Sequence, residues 1–230
     1  MVDIRVRLVQ RVSGGLAYLR AGVHVSEVFI RRLSRWQAEQ QREDVADVYV
    51  EAYHRVHGEE FHDRQEFLRA FAEDVQRTGF DMVVASGGGK PAAHAYGFLL
   101  DRDGEWWRGL DDGVPWDVEE LTVSGQVFGL AELMVLPAFR RSGVATRMVE
   151  QLLLRTDAAL VTMRIDPANE AAVGALRSWG WTRLGVARSA ASEAVPSVGV
   201  GVGVGVGAAG TGAGAGAGGG TDVWCRALTP

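Results

Sequence analysis

The sequence predicts a mixed α/β fold (α+β in layout) whose sheet is partly parallel. Three observations carry this. Residues 129–165 read strand, helix, strand, and two strands joined through one helix lie parallel in a sheet. Upstream, MVVA and AHAYGFLL flank the turn SGGGKP and read as an antiparallel hairpin. A hydrophobic content of 47% over 230 residues supplies one sizeable core.

The elements follow in order. VFIRRL, Val28 to Leu33, has the β-branching and alternation of a short strand. Trp36 to Val56 predicts a helix, with Val45, Val48, Tyr49 and Ala52 at helical spacing. Arg64 to Gln76 predicts a second, with Phe67, Leu68, Phe71 and Val75 on one stripe and Asp63 as N-cap. The hairpin tip SGGGK is no nucleotide P-loop: proline follows Lys90, the first glycine is missing, and a strand comes next. Arg102 to Gly125 has no clean period and predicts a long loop holding Trp106, Trp107 and Trp116. Strand 129–136, helix 143–155, strand 160–165, helix 169–179 and strand 181–187 complete the main pattern.

The ends are set apart by composition. Met1 to Ser26 has no partner pattern and is expected to be an extension (1–26) or to reflect a start placed too early. Residues 27–196 form the predicted domain. The tract 197–220 is nearly all glycine, valine and alanine, with almost no bulk to bury. A flexible loop is the first reading of this tract, and a Val-Gly hairpin extension the second. Residues 221–230 then hold DVWCRAL, a final strand returning to the sheet.

Net charge is −5, which argues against a nucleic-acid or anionic-membrane surface. One cysteine, Cys225, allows no intrachain disulfide and suits a cytoplasmic setting. No apolar run approaches the roughly 20 residues of a membrane helix. Lys90 is the one lysine among 24 basic residues, an arginine excess expected of a GC-rich bacterial genome.

FRRSGVATR, Phe139 to Arg147, joins an apolar strand to a helix. A helix start leaves about four N–H groups unpaired and carries roughly half a positive charge, so it stabilises an anion. Gly143 admits close approach and Ala145 adds little bulk, while Val144, Met148, Val149, Leu152 and Leu153 would bury the helix. Arg140 and Arg141 add charged donors, or stand solvated in an ordinary connection. The glycine of a Rossmann fingerprint is absent, so a different phosphate-bearing cofactor is expected.

ELMVLPAFRRSGVA resembles the signature of the GNAT N-acetyltransferase superfamily, a strand LxVxP followed by [RQ]xxGx[GA], with Arg140, Gly143 and Ala145 in the defined places. PANEAAVGALRSWGW resembles the second segment of that family, NxxAxxxYxxxGF, through Asn169, Ala172 and Gly180, with Trp181 for phenylalanine. The resemblance covers Val28 to Ala187 and the last strand. It implies the GNAT fold, with acetyl-CoA as co-substrate in a V between two splayed parallel strands, and no metal. Main chain at Leu133, Met134 and Val135 would face the acetyl and pantetheine groups. The N–H groups of Arg141, Ser142, Gly143, Val144, Ala145 and Thr146, beside Arg140, would take the pyrophosphate, and Asn169 would help hold the pantetheine arm. The tract 197–220 would be an enlarged loop between the last two strands.

Acetyl transfer needs a deprotonated amine, a stabilised oxyanion and a leaving thiolate. Glu132 shares a strand face with Met134 and Leu136, opposite Leu133 and Val135, and is the candidate base, directly or through water. The family's tyrosine acid would fall at Leu176, which has no proton to give, and Ser178 lies about 200° round the helix. A thiolate leaves readily enough for water to protonate it.

Trp107 is the candidate acceptor contact, with Trp106 and Trp116 either lining a pocket or packing in the core. Glu105, Asp111, Asp112, Glu119 and Glu120 would favour a cationic amine, although a solvated loop face explains them too. His54, His57 and His62 match no zinc signature. The expected partners are a small-molecule amine and, at most, a second copy in a homodimer. The expected activity is N-acetylation, with acyl-CoA binding or sensing without efficient turnover as the alternative.

Overall fold

The computed structural model describes residues 27–53, 60–102, 105–188 and 220–228. The whole expected extension, the histidines His54 and His57, and the glycine-rich tract up to residue 219 lie outside these.

The chain runs β1 (Val28–Leu33), α1 (Arg35–Gln40), α2 (Arg42–Tyr53), α3 (Glu60–Asp74), β2 (Asp81–Gly87), β3 (Lys90–Leu99), α4 (Trp116–Val123), β4 (Val127–Val135), α5 (Val144–Leu153), β5 (Leu160–Ile165), α6 (Glu170–Ser178), β6 (Thr182–Arg188) and β7 (Gly220–Ala227). The strands form one seven-stranded sheet in the order β1-β2-β3-β4-β5-β7-β6. β4 and β5 are parallel, and every other pairing is antiparallel. Among the described residues no helix is long and apolar enough to cross a membrane.

Three expectations need correction. The long first helix divides at Gln41, whose φ of −100° and ψ of 11° leave the helical region. α1 opens on Ser34, whose hydroxyl accepts from the N–H of Gln37 while the Gln37 side chain accepts from the N–H of Ser34. Asp63 is not an N-cap: α3 starts at Glu60, and Asp63 lies in its first turn. There the helix dipole favours acids, and no glycine or proline intervenes to stop the helix starting early. The supposed loop 102–125 holds α4 and a one-turn 3-10 helix, Glu105–Trp107. Only Val118 and Thr122 of α4 are buried, too few to mark a period in sequence.

The hairpin turns at Gly88 and Gly89, with φ of 61° and 78°, a left-handed pair that glycine adopts without strain. A core lies on each face of the sheet. Val144, Met148, Val149 and Leu152 of α5, with Leu176 of α6, cover Phe128, Leu130, Leu133 and Val135 on one face. α2 and α3 cover Met82, Tyr96, Phe98 and Ala131 on the other, led by Val45, Phe67 and Phe71.

Candidate functional site

β4 carries a bulge that decides the site. In register with β3, Tyr96 faces Glu132 but Gly97 faces Leu130, so Ala131 is the extra residue. Before the bulge, Phe128 and Leu130 point to the α5 face, and after it Leu133 and Val135 do. Met134 therefore turns to α2, where it packs with Val48 and Leu136. Glu132 shares the side of Met134 and acts electrostatically on Tyr96, which stacks edge-on against Phe71 of α3.

Pairing of β4 with β5 stops early. It covers Val127–Gly129 against Leu160–Thr162 and no further. Beyond that, β4 runs on to Val135 beside β3, and β5 runs to Ile165 beside β7. The facing edges of Leu130–Val135 and Met163–Ile165 are thus left without each other as partners, a wedge that an extended ligand arm can enter as a strand would.

At the mouth of the wedge, α5 begins. Gly143 is its N-cap at φ 78°, and Arg141 is also left-handed at φ 59°. Arg147 is the first helix residue to donate to a carbonyl behind it, that of Gly143 at 3.1 Å. The N–H groups of Val144, Ala145 and Thr146 precede it and emerge from the helix end. Val144, Met148, Val149 and Leu152 are all at most 3% exposed and fix that end against the sheet. A Cβ added at Gly143 would meet nothing within 4 Å, so the ground before the helix is open. A cavity of about 490 Å³ lies there, between Val135, Arg141, Gly143 and Ala145 on one side and Gly174 and Trp179 of the α6 end on the other. The Trp179 indole donates to the Thr146 hydroxyl at 3.1 Å and ties the two helices across it.

The two arginines differ. Arg141 is exposed. The Arg140 guanidinium donates to the Val135 carbonyl at 3.0 Å and the Ala52 carbonyl at 2.9 Å, strapping β4 to the end of α2. Ser142 donates its hydroxyl to the Phe139 carbonyl. Asn169 caps α6, its Oδ1 accepting from the Ala172 N–H at 3.1 Å. Leu176 is fully buried in the core. Ser178 lines the cavity but donates to the Ala175 carbonyl at 2.7 Å.

The turn is braced from below. A Cβ on Gly87 would fall on the Phe139 ring, 2.8 Å from Cζ. Gly87→Ala should therefore cost about 1–3 kcal/mol by overpacking. By displacing Phe139 it should also shift the turn that leads into α5, and thermal unfolding measures the loss.

On the α2 face the structure assembles a buried polar row that the sequence reading missed. Glu132 is 4% exposed, His94 1% and Tyr96 2%. The Tyr96 hydroxyl donates to Asp74 at 3.4 Å, and Arg77 pairs with the same carboxylate at 3.1 Å. Burial first, then the charges of Glu132 and Asp74, hold the Tyr96 phenol well above its ordinary range. The alternation AHAYGF in β3 was the available signal, since it sets His94 and Tyr96 on one face.

Two of these groups titrate in opposite senses. Burial pushes His94 down from 6.5 to about 3. A depressed histidine stabilises the fold above pH 6.5 and loses that contribution as pH falls towards 3, at most about 1.4 kcal/mol per unit. Burial, only partly offset by Arg77 and Tyr96, raises Asp74 from 3.8 to about 6. A raised carboxyl keeps its proton in the fold, so its contribution is present below pH 4 and lost as pH rises to 6. The two slopes cancel between pH 4 and 6. Urea unfolding of Asp74→Asn should therefore uncover a steep loss of stability from pH 6 to 4 that the wild type lacks. Superimposed pH profiles would refute this.

Two of the three tryptophans of this segment are packed and one is exposed. Trp106 is 7% exposed and Trp107 9%, the latter donating its indole N–H to Thr122 at 3.2 Å. Trp116 is 75% exposed at the start of α4. Asp111, Asp112, Glu119 and Glu120 are exposed, and Asp111 pairs with Arg188 of β6 at 2.8 Å.

Comparison with known proteins agrees with this geometry. The model of the acetyltransferase (GNAT) family matches residues 41–181. No curated protein matches in sequence. Among solved structures, a GNAT-family acetyltransferase from Streptococcus pneumoniae shares the fold at TM-score 0.53 and 11% identity, over 88% of this chain and 100% of that one. YncA of Salmonella typhimurium, solved with its cofactor acetyl-CoA, does so at TM-score 0.53 and 14% identity, over 89% and 96%. An N-acetyltransferase from Staphylococcus aureus Mu50 has TM-score 0.51 and 11% identity, over 89% and 100%. With a splayed β4–β5 pair, an open N-terminus on α5 and a family match over most of the domain, this chain belongs to the GNAT family of acetyltransferases.

Proposed function

We propose that the protein moves the acetyl group of acetyl-CoA to the primary amine of a small molecule, by direct attack in a ternary complex. The observation that carries this reading is the wedge ending at the α5 N-terminus, with a buried carboxylate on the far face of the same strand. In this reading the α5 N–H groups and Arg141 take the pyrophosphate, and Arg140 positions the turn. Main chain at Leu133, Met134 and Val135 lines the thioester arm, and Asn169 helps hold it from the other side. Glu132 takes a proton from the ammonium, directly or through one water. The amine nitrogen then attacks the carbonyl carbon, the oxyanion collapses, the C–S bond breaks, and the nitrogen gives up a second proton to water as the neutral amide forms. No acid stands at Leu176, so water protonates the thiolate. α2, α3 and α4 wall the acceptor, with Trp107 as packing behind that wall. We place the domain at residues 27–196 with 221–230 as its last strand, in the cytoplasm.

The fully buried leucine at position 176 favours one second reading, an acyl-CoA-binding module with little turnover. Calorimetry with acetyl-CoA and CoA, followed by a primary-amine panel read out as free thiol, separates the two. Binding with thiol release supports transfer, binding without release supports the module, and no binding refutes both.

A further inference from the structure

His94 is a buried imidazole that the reaction as described leaves idle. Neither of its ring nitrogens has a hydrogen-bond partner among the described residues, although the side chain is 1% exposed. A buried polar group without a partner is costly. The ring lines a cavity of about 360 Å³ between α2 and strands β1, β2 and β3, beside Val48, Ser86, Gln41 and Asp44. Asp44 is exposed, so the cavity reaches solvent along α2. A polar space of this size holds water that can satisfy the ring.

The same ring stands next to the candidate base. Glu132 lies opposite Tyr96 and Met134 opposite His94, so Glu132 and His94 are diagonal neighbours on the α2 face. Such diagonals are about 7–8 Å apart, a gap that long side chains and one water can close. Proton balance requires a path here. A primary ammonium and a thioester give an amide, a thiol and one proton in excess: one ammonium proton replaces the acetyl group on sulfur, one stays on the amide nitrogen, and one must leave. Glu132 is 4% exposed, so the proton it takes needs a path to bulk water.

We propose that His94 relays this proton, taking it from Glu132 on one ring nitrogen and releasing from the other to the cavity under α2. A neutral imidazole carries one acceptor and one donor nitrogen, so it can pass a proton without remaining charged. Burial keeps His94 neutral at pH 7. The inference rests on the acetyl-transfer reading of Glu132, and its test separates the two.

The test measures turnover of wild type, His94→Ala and His94→Gln with acetyl-CoA and an accepted amine, with and without added imidazole. His94→Ala should lose at least about tenfold in kcat, at or below the low end of the range for a direct acid–base group. Its KM for acetyl-CoA should not change, since the cradle is elsewhere, and added imidazole should restore the rate in proportion to concentration. His94→Gln keeps a hydrogen-bonding side chain but passes no proton, so it should stay slow. Wild-type kcat in either variant overturns the relay. A slow His94→Ala that binds CoA normally yet ignores imidazole overturns it too. Should the alanine variant fail to fold, the glutamine variant decides by its kcat alone. No turnover by the wild type at all overturns the acetyl-transfer reading, and the relay with it.

Discussion

Glu132→Gln should lower kcat by about 10²- to 10⁴-fold, the usual worth of a positioned general base. Glutamine keeps the shape of the side chain and its hydrogen-bonding reach, and removes only the site that takes the proton. The affinity for acetyl-CoA should stay within about twofold, a change of only about 0.4 kcal/mol, because the proposed cradle lies at the start of α5. Titration calorimetry with CoA and steady-state thiol release measure the two quantities separately. A variant with wild-type kcat would remove Glu132 from the chemistry. A variant that loses CoA affinity instead would make the carboxylate a structural member of the row with Tyr96.

A large loss of stability should come from Gly97→Ala. A Cβ there would overlap the Gly129 carbonyl oxygen and come within 2.5 Å of Phe128 Cε1. Gly129 cannot retreat easily. It is paired with Phe98 of β3 on one side and with Thr162 of β5 on the other, at the point where the wedge opens. The overlap must therefore separate β3 from β4 next to the bulge, at a cost of about 3 kcal/mol or more, in the tail of single-substitution effects. For a chain of this size that lowers Tm by roughly 6–12 °C. Gly174→Ala is the control. It sits in α6 with nothing within 4 Å of the added methyl, so helix propensity should raise stability by up to about 1 kcal/mol. Equal Tm values for the two variants would show that the Gly97 contact relaxes freely.

Much of this arrangement was legible in the chain. The hairpin, the parallel pair and the stripe of Val144, Met148, Val149 and Leu152 follow from periods of 2.0 and 3.6, which local sterics impose. The glycines at 88, 89 and 143 stand where the backbone is left-handed. Helix ends were less legible. The break at Gln41 depends on a cap at Ser34 that the apolar pattern does not register, and α4 buries too little to announce itself.

Sequence by itself determined the order of the strands and the open start of α5, because both rest on local rules: side-chain period, a glycine at the turn, and unpaired N–H groups at any helix start. The tertiary structure alone decided what those parts face. The bulge at Ala131 is a mismatch between two strands, absent from either one alone, and it sends Glu132 to the α2 face and Leu133 to the other. Arg140 reads as an anion ligand in sequence and becomes a strap only once Ala52 and Val135 are brought beside it. His94 and Glu132 are separated by 38 residues and become diagonal neighbours only because β3 and β4 pair in this register. Contacts between distant segments depend on packing, and no local period encodes them.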